Sequence, residues 1–280
     1  MNSLTTILAI ARDVLREAAS SKLLLVLFTV IGLFLLALTF SLNLEVVDGA
    51  LAGAKIFGND NSGGIVPVDV FLRPVFSALA WVTFYFGLVF GIVATADITP
   101  KALQPGRVEH LLALPVRRTE LVVGLYVGVC AICLIMTSVA VGGVSLVLFI
   151  KAEMFTVAPI AGAAMACIAF AAIYAVMLAV GALARSAALS AGAGLATFVA
   201  GIVVGHKQDW LNWLESPTRQ IADVVTMPLP NLKALADVGA AAASGAPLEA
   251  ATIAPVIAAT LAFAVVGVAV AAAVVSTRDY

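Results

Sequence analysis

Apolar residues in this chain fall in long unbroken runs, and most charges gather in the gaps between them. A helix needs about 20 apolar residues to cross the roughly 30 Å hydrocarbon layer of a bilayer. Six runs meet that length: 23–44, 74–96, 121–150, 158–184, 187–205 and 251–276. The third and fourth exceed it, which predicts tilt or extension beyond the bilayer. Each run is free of charge at its centre, so no intramembrane acid suggests an ion relay.

Residues 4–20 follow another rhythm. Leu4, Ile7, Leu8, Ala11, Leu15 and Ala18 recur at helical spacing, while Arg12, Asp13, Arg16 and Glu17 occupy the other side. That pattern predicts an amphipathic helix lying in the membrane interface. A second polar segment, 97–120, separates the second and third runs. Within it Pro105-Gly106 closes a turn and Arg107 to Leu114 spans two helical turns. Pro115 then stops the helix, because it lacks an N–H and disfavours helix in the residue before it. Val108, Leu111, Leu112 and Pro115 make a small apolar face ringed by Arg107, Glu109, His110, Arg117 and Arg118. A short helix of this kind suits a docking contact at the membrane surface, or a place among lipid headgroups.

Two longer connections lie on the opposite side, at 45–73 and 206–250. The first carries the turn-rich "NDNSGG" at 59–64. The second begins with Trp210 and Trp213, placed as interfacial aromatics are. It continues through a proline-punctuated turn into a short helix expected to end at Gly239.

Composition agrees with the pattern. The chain is 63% hydrophobic and 11% charged, with a mean hydropathy of +1.14. Soluble domains are about half apolar and about a quarter charged. The expected fold is therefore an all-α membrane protein: one transmembrane domain over 1–280, with six spans, the interfacial helix and the short helix of the 97–120 loop. Short loops rich in Lys and Arg stay in the cytoplasm. With the N-terminus inside, the inner segments hold Arg12, Arg16, Lys22, Lys101, Arg107, Arg117, Arg118, Arg185 and Arg278, nine of the 15 basic residues. Both termini are accordingly expected in the cytoplasm of a multi-pass protein in the cell (inner) membrane.

Catalytic chemistry is scarce. The sequence contains no GxxxxGK[ST] phosphate loop, no HExxH and no GxSxG. Cys130, Cys133 and Cys167 fall inside apolar runs and read as packing residues, and the two histidines, His110 and His206, stand on opposite sides of the membrane. No catalytic residue, metal site or cofactor is expected in this chain, and nucleic acid is not among its expected partners. Small residues do recur every four positions in the fifth run, at Ala193, Thr197, Gly201 and Gly205. Such a face lets helices approach closely and is a candidate for a pathway or dimer interface. Thr83, Tyr85 and Phe86 of the second run are candidates for the opposing wall.

The stretch "GRVEHLLALPVRRTELVVGLYVG", 106–128, resembles the intracellular loop of ABC-2 type exporter permeases. Their pattern runs near G-T-L-E-x-L-L-x-x-P-V-x-R-x-E-x-x-x-G-K. Gly106, Glu109, Leu111, Leu112, Pro115, Val116, Arg118, Glu120 and Gly124 stand at matching positions, whereas Arg107 replaces a small polar residue and Leu125 replaces the lysine. The resemblance implies a permease subunit that works as a homo- or heterodimer with a separate nucleotide-binding ATPase, ATP and Mg being bound by that partner. It implies further that 106–114 is a coupling helix. Leu111 and Leu112 would be its anchors, and Gly106, Arg107, Glu109, His110, Pro115, Arg118 and Glu120 would belong to the same coupling set. The alternative is a polytopic membrane protein that uses no ATPase: an assembly factor, a scaffold or a secondary transporter.

Overall fold

The computed structural model describes residues 3–20, 22–47, 50–56, 59–60, 66–104, 116–152, 158–213 and 218–277. Its architecture is helical, with a small sheet between the second and third helices. Helix α1 (Ser3–Ala19) leads into α2 (Lys22–Ser41), succeeded by strands β1 (Leu42–Val47), β2 (Ala50–Ile56), β3 (Asn59–Asp60) and β4 (Val66–Pro67). Then come α3 (Val68–Thr95), α4 (Ile98–Ala102), α5 (Arg118–Ala152), α6 (Ala158–Ala184), α7 (Ala187–Gly205) and α8 (Lys207–Leu211). The remaining helices are α9 (Thr218–Thr226), α10 (Leu232–Ala243) and α11 (Ala250–Thr277).

Among the described residues, five helical stretches are long and apolar enough to cross a membrane: Arg73–Ala102, Arg118–Lys151, Pro159–Ala184, Ala187–Gly205 and Ile253–Thr277. The first expected span falls on α2, where the apolar stretch Leu25–Phe40 is shorter. The expected run to residue 44 is cut because the chain turns extended at Leu42. There β1 pairs antiparallel with β2, from Leu42 opposite Ile56 to Val47 opposite Ala50, with a bulge between Glu45 and Val46. The other edge of β2 takes β3 and β4. Part of the connection expected as a turn-rich loop is thus a small sheet.

The bundle is organised around α6. A helix apolar on every side belongs in the interior, and Ala169, Phe170, Ala172, Ile173, Tyr174, Ala175, Met177, Leu178 and Ala182 are all buried. Helices α3, α5, α7, α10 and α11 pack around it. Small residues let the axes come close: a Cβ at Gly267 of α11 would lie 2.8 Å from the Cβ of Ala175. The turn into α7 is tight. Arg185 takes a left-handed conformation (φ 52°), its N–H bonds the Gly181 carbonyl at 2.9 Å, and Ser186 then caps α7. This is a left-handed helix stop on a residue other than glycine.

Helix α10 corrects the expectation for the second long connection. Asn231 caps its start by accepting the Ala234 N–H at 2.9 Å. The helix then runs through Gly239 to Ala243 instead of ending at the glycine. Gly239 is where α10 meets α6: a Cβ there would lie 3.1 Å from the Gly162 Cα. The left-handed glycine beyond the helix is Gly245, at φ 72°.

Candidate functional site

Several of the segments assigned to the inside gather at one end of the bundle. Helix α1 lies along the start of α5, where a Cβ at Gly124 would meet Ile10 Cβ at 2.7 Å. One at Gly128 would meet Val14 Cβ at 2.9 Å and the Ala11 backbone at 3.1 Å. Ala11, Val14 and Ala18 are buried in this contact, whereas Leu4 and Leu8 stay 72% and 62% exposed. The apolar stripe expected to lie on the membrane is therefore divided between protein and surroundings.

Two members of the expected coupling set secure the same end. Arg118 donates through Nη1 to the carbonyls of Val275 (3.3 Å) and Ser276 (3.1 Å), the closing turn of α11. A cation at helix carbonyls left without partners is favourable both as a hydrogen bond and against the helix dipole. Glu120 accepts the Arg117 N–H at 3.1 Å, the reach-back half of a capping box at the start of α5. Gly106, Arg107, Glu109, His110, Leu111, Leu112 and Pro115 lie outside the described residues.

Helix α4 is tucked beneath the bundle. Thr99 is buried, and its Oγ1 lies 2.8 Å from the Oη of Tyr174, the fully buried tyrosine of α6. Tyr174 also stacks on Phe170 and on Tyr126, whose hydroxyl donates to the Ala171 carbonyl at 3.0 Å. On the exposed side of α4, Lys101 pairs with Asp97.

Beside this end a cavity of about 550 Å³ lies among α1, α2, α3 and α5. Its walls include Leu27, Ile31, Phe86, Phe90, Ile132 and Met136, and Glu17, Asp97 and Lys101 also line it. Thr83 and Phe86, two of the expected pathway residues, line it as well. Tyr85 belongs to another environment: it stacks on Trp81 at 5.2 Å and meets Phe198 of α7 edge-on at 6.1 Å. The three α3 candidates are thus divided between two environments.

The small-residue row of α7 is used within the chain. Thr197 is buried and donates to the Ala193 carbonyl at 2.8 Å. Gly201 is covered by Leu232 and the Pro230 carbonyl, and Gly205 by Lys233 and Asn231, all at or near the start of α10. A parallel row, Gly192 and Ala196 with Leu189, Val199 and Val203, is exposed instead. Among the described residues, no three His, Cys, Asp or Glu side chains group so as to hold a metal ion. The thiols of Cys133 and Cys167 lie 4.0 Å apart across α5 and α6.

Two parts of this end were not anticipated from sequence: the Arg118 contact with α11 and the place of Glu17, Asp97 and Lys101 in the lining of one cavity. Arg118 and its acceptors are 157 and 158 residues apart, so no local pattern signals their contact.

The helices and their hydropathy define an integral membrane protein of the multi-helix class. The chain matches no protein-family model and no curated protein.

Proposed function

We propose that the chain is the permease subunit of an ABC exporter of the ABC-2 type, driven by a separate nucleotide-binding subunit. In this reading α2 is the first of six crossings, both termini face the cytoplasm, and the 106–114 helix docks on the ATPase. The observation that carries it is the motif at 106–128 together with the packing of the helix it enters. The loop feeds directly into α5, and the start of α5 holds α1 through Gly124 and Gly128 and α11 through Arg118. A push on the short helix would therefore reach three helices at once, as a switch between two packed arrangements needs. Two permease copies would form the pathway, and the exposed α7 row at Gly192 and Ala196 supplies a close-packing face for the second copy.

The test is substitution at the proposed grip. Leu111→Asp with Leu112→Asp should abolish co-purification of a P-loop ATPase from native membranes, with membrane insertion intact. Undiminished co-purification would contradict the docking role.

A further inference from the structure

Helix α5 presents a line of sulfur to the bundle. Cys130, Cys133 and Met136 stand three residues apart in "CAICLIM", successive turns along one side of the helix. Cys167 of α6 approaches that line, its Sγ 4.0 Å from the Sγ of Cys133. Thr137 is their polar neighbour. Its hydroxyl donates to the Cys133 carbonyl at 2.9 Å, which leaves its oxygen, 3.2 Å from Cys167 Sγ, to accept that thiol's proton. Cys130 is engaged apart, in a hydrogen bond with the Tyr126 hydroxyl. Cys133, Met136 and Thr137 all line the cavity of about 550 Å³, so the thiol pair stands at a wall open to small solutes.

The separation of the pair has a chemical meaning. Two metal–thiolate bonds of about 2.3 Å meeting at about 120° hold their sulfurs about 4 Å apart, which is the spacing of Cys133 and Cys167. That angle belongs to a three-coordinate ion. Met136 is one turn from Cys133 on the same cavity wall, and its unbranched thioether chain adapts readily to a nearby site. Two thiolates and a thioether discriminate among ions. Calcium and magnesium require oxygen ligands. Zinc closes its structural sites with four ligands, mostly thiolate and imidazole, and among the described residues no third His, Cys, Asp or Glu joins a group here. Cuprous copper is selected by thiolate and thioether together and needs no more than three of them.

We propose that Cys133, Cys167 and Met136 form a binding site for cuprous copper in the wall of this cavity. Each thiol passes its proton to water as its S–Cu bond forms. One ion therefore displaces two protons, leaves one negative charge on the complex and transfers no electron. From sequence the cysteines read as packing residues, because only the fold brings Cys167 to a partner 34 residues away. The site does not depend on an ATPase partner and stands or falls separately from the exporter reading.

The intact chain in nanodiscs, reduced and kept free of oxygen, is titrated with Cu(I) buffered by bicinchoninate. One copper per chain should be retained, with two protons released per ion and a first shell of sulfur alone by X-ray absorption. Cys133→Ser and Cys167→Ser should each weaken retention by more than about tenfold, since even changes behind the ligands reach that. Met136→Leu, which conserves side-chain volume, should weaken it several-fold, and Cys130→Ser should leave it unchanged. Melting of each variant without copper separates lost ligation from lost folding. No copper retained by the unaltered chain, or nitrogen or oxygen in its first shell, would overturn the proposal without recourse to any variant. Retention unaltered in folded Cys133→Ser and Cys167→Ser would overturn it as well.

Discussion

Arg118 and Ser276 join the first turn of α5 to the last turn of α11, with Nη1 3.1 Å from the Ser276 carbonyl. The guanidinium bonds carbonyls in the last turn of α11, so it caps that turn from outside. Arg118→Ala should lower stability by about 1 kcal/mol, the upper range for a charge at a partly exposed helix end. Arg118→Lys should retain part of that, because an ammonium keeps the charge and loses the planar fork. Thermal unfolding in detergent measures both, and equal melting of all three forms would contradict the cap.

Gly128 is a second structural tie. Its missing side chain is what lets α1 lie against α5, with the Ala11 backbone only 3.1 Å from a Cβ placed there. Gly128→Leu should therefore cost about 1–3 kcal/mol by overpacking. Gly142→Ala, where nothing lies within 4 Å, should be neutral or slightly stabilising, since alanine favours helix by about 1 kcal/mol over glycine. Matching unfolding curves for the two variants would contradict the α1–α5 contact.

The buried Thr99–Tyr174 pair holds α4 to the bundle core. Tyr174→Phe leaves the Thr99 hydroxyl without that partner in a buried place, which should cost about 1–3 kcal/mol. Adding Thr99→Val should cost less than the sum of the two single changes, because it removes the stranded hydroxyl. Simple additivity in a double-mutant cycle would show that the two groups do not interact.

Cys133 and Cys167 should be close enough to oxidise. Their sulfurs must move from 4.0 Å to the roughly 2.05 Å of a disulfide, a small shift for two packed helices. Copper-catalysed oxidation in membranes, followed by denaturation and alkylation, should protect Cys133 and Cys167 and leave Cys130 to be alkylated. Persistent labelling of Cys133 and Cys167 after oxidation would place α5 and α6 in a different register.

Helix existence was readable from hydropathy wherever a run is charge-free and bounded by polar residues. The runs 158–184 and 187–205 coincide with α6 and α7, because Arg185-Ser186 interrupts the apolar pattern with a stop and a cap. Hydropathy misjudged the end of α2, since "LNLEVV" is apolar enough to continue a run yet alternates as a strand does. It also misjudged Gly239. A glycine signals a helix end only when nothing else needs it, and here the neighbouring Gly162 backbone does. Within the candidate site, Arg118 and Glu120 were visible as motif positions, but their partners were not. The charged lining of the cavity was hidden for a similar reason. Glu17 and Asp97 are 80 residues apart, and only the packing of the helices places both in the wall of one cavity.

The exporter reading is tested most directly by native mass spectrometry of the chain isolated from its own membranes in mild detergent. A complex of two 28.6 kDa chains with two copies of an ATP-hydrolysing P-loop subunit is the result predicted. The chain alone, or assembled only with itself and without ATPase activity, would contradict it.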